Sequence, residues 1–485
     1  TTIGMSSGKW YCEVTINNVG SETKIGIGKQ DVLTAEAGSQ ANTWAYINIG
    51  DKMNNNSNTS YGNSFTTGDT IGIAFDADGG NLYFYKNGTA QNSGTAAYTG
   101  LTDGPYFFHF TARAVGTAND LSANFGARPF HTAAPTGFKA LNTANLPTPT
   151  IADGSQYFDT KLYTGDNTAS RSVTSYNFSP DFVWAKSRSG TYYHGLFDIL
   201  RSGYALYSNA TSAEDTTEQI GFASDGFTTP NKTGDFINAN NANYVAWAWD
   251  AGSSTVTNTD GSISSQVRAS QTAGCSIVSY NATGSNLTVG HGLNAKPALI
   301  LLKSRNVSGD WLVMHESIGV DHFLKLNETQ AKAGPYSNVF TSVSNTTFGT
   351  GNDSGINSSG QQKIALCFAP VAGYSAFGSY TGSGNNSGSF IFTGFAVRFL
   401  LIKCTSDSGQ EWVIIDTARS PVNVADEALY ANDSAAEDTN SSRDVDLLSN
   451  GFKLRNGSSG ATDFSGRTYI YAAFASHPFQ AARAR

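Results

Sequence analysis

The chain has 485 residues, of which only 14% are charged, and its formal net charge at pH 7 is -8. The low charge, without a stripe of lysine or arginine, argues against a nucleic-acid partner, because phosphate binding needs clustered cations. No apolar run reaches the roughly 18 residues that a transmembrane helix needs, so we expect no membrane insertion. The 51 glycines and the 12% aromatic content predict an all-β protein.

Residues 1–130 carry short strand patterns separated by turn residues. In the pattern over 69–76, alternation places Ile71, Ile73 and Phe75 on one face of a strand. The next pattern, over 81–86, ends at an Asn87-Gly88 turn. Several short strands at this spacing predict a sandwich or barrel. The chain opens at Thr1 without an initiator Met, so we expect it to be a piece of a longer polypeptide.

Five motifs in this region resemble the successive strands of a SPRY (B30.2-like) domain. They are GKWYCEV at 8–14, IGIG at 25–28, GDTIGIAFD at 68–76, LYFYKNG at 82–88 and NFG at 124–126. The resemblance implies a bent two-sheet β-sandwich that binds partners through its loops and has no catalytic role.

Residues 131–150 are predicted to be a linker, with Pro135, Pro147 and Pro149 along it. Together with NFG at 124–126, the motifs RPF at 128–130 and GFKALN at 137–142 resemble a segment of tailed-phage structural proteins. In those proteins, many of them marine, the segment joins SPRY modules to a C-terminal region. The resemblance therefore implies a virion protein.

The remainder of the chain contains an internal repeat of about a domain's length. The apolar patterns 180–187, 297–304 and 397–404 each contain a lysine near the end, at Lys186, Lys303 and Lys403. We expect these lysines to extend from strand ends into solvent. The pattern predicts three tandem related β-sandwich or β-rich domains at 151–252, 274–373 and 374–485. The Ser- and Thr-rich residues 253–273 are predicted to be a linker.

No motif predicts a catalytic residue, a metal site or a cofactor. The four cysteines have no metal-ligand spacing, and we expect buried thiols. Asp198, Glu316 and Asp416 end equivalent strands, one in each repeat. A pair of carboxylates could hydrolyse a glycan, but one per repeat favours a structural role such as capping a turn. His315 is expected to lie at a strand end near a loop.

Aromatic residues near loops are the best candidates for ligand binding. Aromatic faces beside Asn and Asp suit sugar stacking. An ordinary place in the core or on a sheet face is the alternative for each of them. The predicted binding residues are Tyr193, Trp311, Trp412, Tyr83 and Tyr85.

These observations predict a phage virion structural and adhesion protein, such as a tail fibre or another virion-attached fibre, that contributes to host-surface recognition. The expected partners are other virion proteins and a host surface glycan or protein receptor. We also expect a homo-oligomer, with a trimer as one option. The alternatives are a carbohydrate-binding lectin module, a glycan depolymerase and, less favoured by the repeats, a cellular SPRY adaptor.

Overall fold

The computed structural model describes residues 2–30, 35–113, 119–233 and 236–481. Strands dominate these residues, so the predicted all-β class is confirmed. The chain divides into two compact units, Thr1–Thr148 (unit 1) and Pro149–Arg485 (unit 2). Among the described residues the helices are single turns: α1 (Ser354–Asn357) and the 3-10 turns Gln91–Gly94, Thr143–Asn145, Gly154–Gln156, Ile199–Arg201, Glu316–Ile318 and Ser441–Arg443. None of these helices is long and apolar enough to cross a membrane.

Unit 1 is a sandwich of two antiparallel sheets. Its strands are β1 (Lys9–Asn18), β2 (Glu22–Lys29), β3 (Thr43–Ile47), β4 (Asp51–Asn54), β5 (Ser57–Ser60), β6 (Thr70–Asp76), β7 (Asn81–Lys86), β8 (Thr89–Ala90), β9 (Tyr106–Arg113), β10 (Asp120–Asn124) and β11 (Lys139–Ala140). One sheet has the order β10-β1-β6-β7-β8, with β11 beside β1, and the other has the order β5-β4-β3-β2-β9.

The strand patterns of unit 1 follow from side-chain alternation. On β7, Leu82 and Phe84 are buried while Tyr83 and Tyr85 are half-buried, since successive side chains of a strand point to opposite faces. Strand β6 is buried along both faces. Its Gly72 lies against the side chain of Tyr11 on β1, and a Cβ at this position would overlap the Tyr11 ring, so a larger residue would displace that side chain.

The prediction of a linker over 131–150 is wrong for most of that segment. Strand β11 pairs in parallel with β1, and Leu141 is buried in the core of unit 1. The backbone N–H groups of His131 and Thr132 donate to the carboxylate of Glu13, at 2.7 and 3.1 Å. The buried Glu13 carboxylate needs donors, and the segment supplies them, so it forms part of the sandwich.

Unit 2 contains one sheet topology three times. We name its parts repeat 1 (153–252), repeat 2 (253–373) and repeat 3 (374–478). The strands of repeat 1 are β12 (Phe158–Thr164), β13 (Ser172–Val173), β14 (Phe182–Ser187), β15 (Gly195–Asp198), β16 (Tyr204–Tyr207), β17 (Asp215–Gln219), β18 (Gly221–Ala223), β19 (Gly226–Thr228) and β20 (Asn243–Trp249).

Repeats 2 and 3 follow along the chain. The strands of repeat 2 are β21 (Thr255–Asn258), β22 (Ser265–Ser270), β23 (Cys275–Asn281), β24 (Leu287–Gly290), β25 (Leu299–Ser304), β26 (Leu312–His315), β27 (Leu324–Lys325), β28 (Phe340–Val343), β29 (Thr347–Thr350) and β30 (Gln362–Phe368). The strands of repeat 3 are β31 (Ser375–Thr381), β32 (Phe390–Phe392), β33 (Phe395–Cys404), β34 (Trp412–Asp416), β35 (Leu429–Tyr430), β36 (Val445–Leu448), β37 (Gly451–Leu454) and β38 (Thr468–Pro478).

Each repeat has a large sheet in which the last strand lies second from the edge of a five-strand core. The shared orders are β12-β20-β14-β15-β16, β23-β30-β25-β26-β27 and β31-β38-β33-β34-β35. Each repeat adds a small sheet, with the orders β13-β19-β18, β24-β29-β28 and β32-β37-β36. Equivalent positions in the three repeats can therefore be compared one by one.

The prediction of a linker over 253–273 is also wrong. Strands β21 and β22 form a hairpin that extends the large sheet of repeat 2, and Val267 is buried. The alternation of Thr255, Val256 and Thr257 is a strand pattern, and Asp260-Gly261 lies in the connection to β22. The Ser- and Thr-rich segment therefore forms the edge of a sheet and is not a spacer.

The three repeats share one large core, in addition to a smaller hydrophobic cluster that repeat 1 and repeat 2 each bury within themselves. The ring of Trp249 in repeat 1 lies 6.1 Å from that of Phe368 in repeat 2 and 5.6 Å from that of Phe474 in repeat 3. Phe368 and Phe474 are themselves 5.6 Å apart. Since large aromatic rings from all three repeats meet in one cluster, unit 2 is a single body.

Candidate functional site

Trp311 and Trp412, both predicted to bind ligand, are buried between repeats. Trp311 directly precedes β26, Trp412 begins β34, and each side chain is 1% exposed. The indole N–H of Trp311 donates to the carbonyl of Tyr207 in repeat 1, and that of Trp412 to the carbonyl of Lys325 in repeat 2, both at 2.9 Å. The prediction that these rings stack on a sugar is wrong, because their faces are covered by the neighbouring repeat.

In repeat 1 the same position is occupied by His194. Its imidazole accepts a hydrogen bond from the indole N–H of Trp184 at 2.9 Å, and burial holds its pKa well below the ordinary value. The backbone at this position is fixed in the same way in every repeat, by a side-chain amide oxygen that accepts from the backbone N–H. The amides are Asn209 for His194 (3.0 Å), Asn327 for Trp311 (2.8 Å) and Asn432 for Trp412 (2.8 Å).

The three repeat lysines are buried, so the expectation that they extend into solvent is wrong. Each ammonium donates to a backbone carbonyl of a neighbouring repeat. The acceptors are Ser434 for Lys186 (3.1 Å), Thr211 for Lys303 (2.9 Å) and Thr329 for Lys403 (3.0 Å). Burial lowers the pKa of each lysine to about 8.

These contacts form a closed ring. Repeat 1 donates to repeat 3 through Lys186, repeat 2 to repeat 1 through Lys303, and repeat 3 to repeat 2 through Lys403. The two tryptophan contacts run in the same direction as the lysines of their repeats. We call these three contact regions the junctions of unit 2.

The strand-end carboxylates are structural, as the sequence favours. Asp198 accepts from the backbone N–H of Arg201, and Asp416 accepts from that of Arg419, both at 3.0 Å. Strand register places His315 opposite Leu299, as Asp198 lies opposite Phe182 and Asp416 opposite Phe399. His315 is therefore the equivalent residue in repeat 2, and the prediction that Glu316 is the counterpart is wrong by one position.

Asp416 and Arg419 form a fully buried ion pair. Both side chains are 0% exposed, and the Arg419 Nε lies 2.6 Å from the Asp416 Oδ2. The indole N–H of Trp247 in repeat 1 donates to the same oxygen at 3.0 Å. Burial alone would raise the pKa of Asp416, but the Arg419 charge and these hydrogen bonds hold it below the ordinary value. Asp416 thus links repeat 3 to repeat 1 as an anion.

Two junctions carry an additional ion pair across the repeats. Arg188 of repeat 1 binds Glu437 of repeat 3 at 2.7 Å, and Arg305 of repeat 2 binds Glu214 of repeat 1 at 3.0 Å. At both junctions the backbone N–H of the glutamate also donates to the carbonyl of the arginine, and at the third junction the backbone N–H of Lys332 donates in the same way to the carbonyl of Thr405, at 3.0 Å. Its side chains at those positions, a lysine and a threonine, do not form the Arg–Glu pair.

The other predicted ligand residues are more accessible. Tyr193 is 51% exposed and stacks on Tyr207, with ring centroids 4.8 Å apart. Tyr83 and Tyr85 are half-buried on β7 in unit 1, where Tyr83 meets the Phe138 ring at 6.4 Å and Tyr85 meets Tyr11 at 6.5 Å. The structure brings Tyr193 and Trp311 to the same residue, Tyr207, but their exposure differs.

Repeat 2 has a surface pocket that the sequence analysis did not predict, and we call it the repeat-2 pocket. Its volume is about 420 Å³, and Asp310, Phe323, Lys325, Tyr336 and Asp353 are among the residues that line it. One feature of the sequence could have indicated this pocket, namely a position at which repeat 2 differs from repeats 1 and 3. Lys325 stands where repeats 1 and 3 have the tyrosines Tyr207 and Tyr430.

Buried groups elsewhere do not form a metal centre. No group of three or more His, Cys, Asp or Glu side chains that could hold a metal ion occurs in the part of the chain that the structure describes. The four cysteines are buried and free, as expected.

Comparisons with known proteins divide the chain at the same place as the fold. The model of a family described as a domain of unknown function, DUF7483, matches residues 153–478, and the SPRY domain model matches residues 9–128. The N-terminal SPRY sandwich that the sequence predicts is therefore confirmed.

Individual relatives cover only part of the chain. The E3 ubiquitin-protein ligase RKP of Arabidopsis thaliana is 29% identical over 136 residues, which are 25% of this chain and 10% of that protein. A human SPRY domain structure is 20% identical, covers 26% of this chain and 85% of its own, and has a TM-score of 0.22. The SPRY domain of human HERC1 is 19% identical over 26% of this chain and 82% of its own, with a TM-score of 0.21.

Proposed function

The chain belongs to the DUF7483 family, and from this premise we propose that it is a structural and adhesion protein of a tailed-phage virion. In this proposal unit 2 is a rigid body on a tail fibre or another virion-attached fibre, and it contributes to host-surface recognition. The resemblance of the motifs over 124–142 to a segment of tailed-phage structural proteins supports the virion assignment.

One observation carries the structural part of the proposal. Several groups of unit 2 that could perform acid–base chemistry contact another repeat instead of solvent, and Lys403, His315 and Asp416 are each at most 1% exposed. A general acid or base must come within hydrogen-bond reach of its substrate. Groups that instead join one repeat to the next favour a scaffold over a catalyst.

The SPRY sandwich adds a binding module to this scaffold. Its resemblance to other SPRY domains implies partners bound through loops, and we propose other virion proteins and a host surface receptor for this role. The predicted homo-oligomer, including the trimer option, remains a prediction to be measured on the intact chain.

The test is the location of the chain on purified particles of the phage whose genome encodes it. We expect mass spectrometry to find the chain at a fixed ratio to the major capsid protein through successive density gradients. Immunogold electron microscopy with antibodies against the full chain should label the particle exterior. A chain that separates from the particles and stays in the soluble lysate would overturn the virion assignment.

A further inference from the structure

We propose that the repeat-2 pocket binds a neutral or N-acetylated sugar residue of a glycan. The inference rests on the proposed function, since it names the ligand class and the site through which the protein would meet a host surface. The pocket volume of about 420 Å³ lies within the roughly 300–1,000 Å³ of small-molecule sites.

The pocket arises from a difference between equivalent positions. In repeat 1 the Tyr207 ring packs against Tyr193 and Phe236, with centroids 4.8 and 5.5 Å away. In repeat 3 the Arg443 guanidinium lies 5.4 Å from the Tyr430 ring. In repeat 2 the slender Lys325 side chain replaces the ring and turns toward Asp310. Lys325, which takes the place of the tyrosine in repeat 2, is one of the residues that line the repeat-2 pocket.

An aromatic face forms one wall. Tyr336 is 47% exposed and packs on the Phe323 ring, with centroids 5.7 Å apart and planes inclined by 32°. The backbone N–H of Tyr336 donates to the Asp321 carbonyl at 2.7 Å, which fixes the base of the side chain. A supported ring that remains half in water offers a face to the C–H side of a pyranose.

Oriented polar groups line the rest of the pocket. Asp310 is held by the Lys325 ammonium and by the side-chain amide of Asn327, each at 2.8 Å. Asp353 accepts from the backbone N–H of Gly355 at 2.8 Å. A carboxylate has about four lone-pair sites, so both retain capacity to accept hydrogen bonds from sugar hydroxyls.

The local charge selects against acidic sugars. Lys325 is shared between Asp310 and Glu328, at 2.8 and 3.1 Å, so one ammonium faces two carboxylates. Asp353 is a second carboxylate, beside Asp310, among the residues that line the pocket. Burial would raise the pKa of Asp310, but hydrogen bonds from Lys325 and Asn327 hold it below the ordinary value, so it stays ionised at neutral pH. A uronic or sialic acid would be repelled.

The experiment is binding of the full chain to an array of neutral, N-acetylated and uronic-acid oligosaccharides. We expect binding to neutral or N-acetylated members, and a loss of about tenfold or more in Tyr336→Ala, because removal of a central aromatic anchor has an effect of this size. Lys325→Tyr restores the ring of repeats 1 and 3 and should abolish binding while the protein remains folded. Phe464→Ala removes an aromatic in repeat 3 that is 44% exposed and should leave binding unchanged.

The inference is overturned if no neutral or N-acetylated member binds, if only acidic members bind, or if Lys325→Tyr binds as well as the wild type. The particle experiment distinguishes this failure from failure of the proposed function. A chain located on the virion that binds no glycan refutes the pocket alone. A chain absent from particles that binds through Tyr336 refutes the virion role alone.

Discussion

Repeat 2 differs from repeats 1 and 3 at the positions where the three meet. In repeats 1 and 3 a buried Asp–Arg pair follows the end of strands β15 and β34, namely Asp198–Arg201 and Asp416–Arg419. Repeat 2 has His315 and Ile318 there, and the imidazole forms a hydrogen bond with the carbonyl of Tyr471 in repeat 3, with 3.2 Å between Nε2 and the oxygen. At this position repeat 3 contacts repeat 1 through the charged Asp416 and the Trp247 indole, whereas repeat 2 contacts repeat 3 through the imidazole of His315, so a contact between repeats here does not require an ion pair.

A second difference between the repeats lies one strand further along the sheet. Repeats 1 and 3 have Tyr207 and Tyr430 where repeat 2 has Lys325, which lines the repeat-2 pocket. A lysine in place of the tyrosine leaves the junction hydrogen bond intact, because the backbone carbonyl of Lys325 still accepts from the indole N–H of Trp412.

The largest expected effect comes from Trp412→Ala. Removal of a fully buried indole leaves a cavity at the junction of repeats 3 and 2, and we expect a loss of about 3–5 kcal/mol in the free energy of unfolding. Val256→Ala, at a side chain that is 53% exposed, is the control and should change it by less than about 0.5 kcal/mol. Denaturant titration of both variants measures the difference. A loss in Trp412→Ala no larger than in the control would contradict the junction.

Arg419→Met should lower the free energy of unfolding by about 3 kcal/mol, because it leaves the Asp416 carboxylate buried without its cation. Ile318→Met at the equivalent position of repeat 2 should lower it by less than about 1.5 kcal/mol, since it exchanges one apolar side chain for another. Equal losses in the two variants would mean that the charge pair is not the source of the difference between the repeats.

Glu437→Gln should cost about 2 kcal/mol, because Glu437 accepts charged hydrogen bonds from both Arg188 and Arg419. Lys332→Ala, at the equivalent position of the junction without an Arg–Glu pair, should cost less than about 0.5 kcal/mol. Chemical denaturation of the two variants in parallel would show whether the side chains distinguish the junctions. A larger loss in Lys332→Ala would reverse the comparison.

The smallest effect is a dependence on pH. Burial lowers the pKa of Lys403 to about 8 from the ordinary value of 10.5. Between these values the unfolded chain holds a proton that the folded chain has released, so stability rises with pH, by at most about 1.4 kcal/mol per pH unit for one lysine. The slope of unfolding free energy against pH should therefore be more positive in the wild type than in Lys403→Met between pH 8 and 10. An equal slope in both proteins would contradict the buried, lowered-pKa lysine.

Local patterns predicted much of the fold. Alternation in β6 and β7 and the motifs of the SPRY resemblance gave the N-terminal sandwich, and the recurring apolar patterns gave the lysines at equivalent positions. The prediction was wrong for segments whose composition is typical of linkers, such as β21 and β22, because a Ser- and Thr-rich edge strand contains the same residue types as a spacer.

The site was harder to predict, because exposure depends on neighbours that are distant along the chain. Trp311 and Trp412 have aromatic faces of the kind that stack on sugars, but the repeat that covers each of them lies about a hundred residues earlier in the chain. The repeat-2 pocket lies where repeat 2 has Lys325 instead of a tyrosine, and the residues around Lys325 do not by themselves indicate this difference.

The central claim is that three repeats form one closed body, and native-state hydrogen exchange of the full chain tests it most directly. We expect the slowest-exchanging amides of β20, β30 and β38 to share one opening free energy. Each of these is the last strand of the large sheet of its repeat and lies second in the five-strand core. Glu437→Gln should lower that value equally in all three strands. Three separate opening free energies, or a loss confined to repeats 1 and 3, would show that the repeats are independent domains.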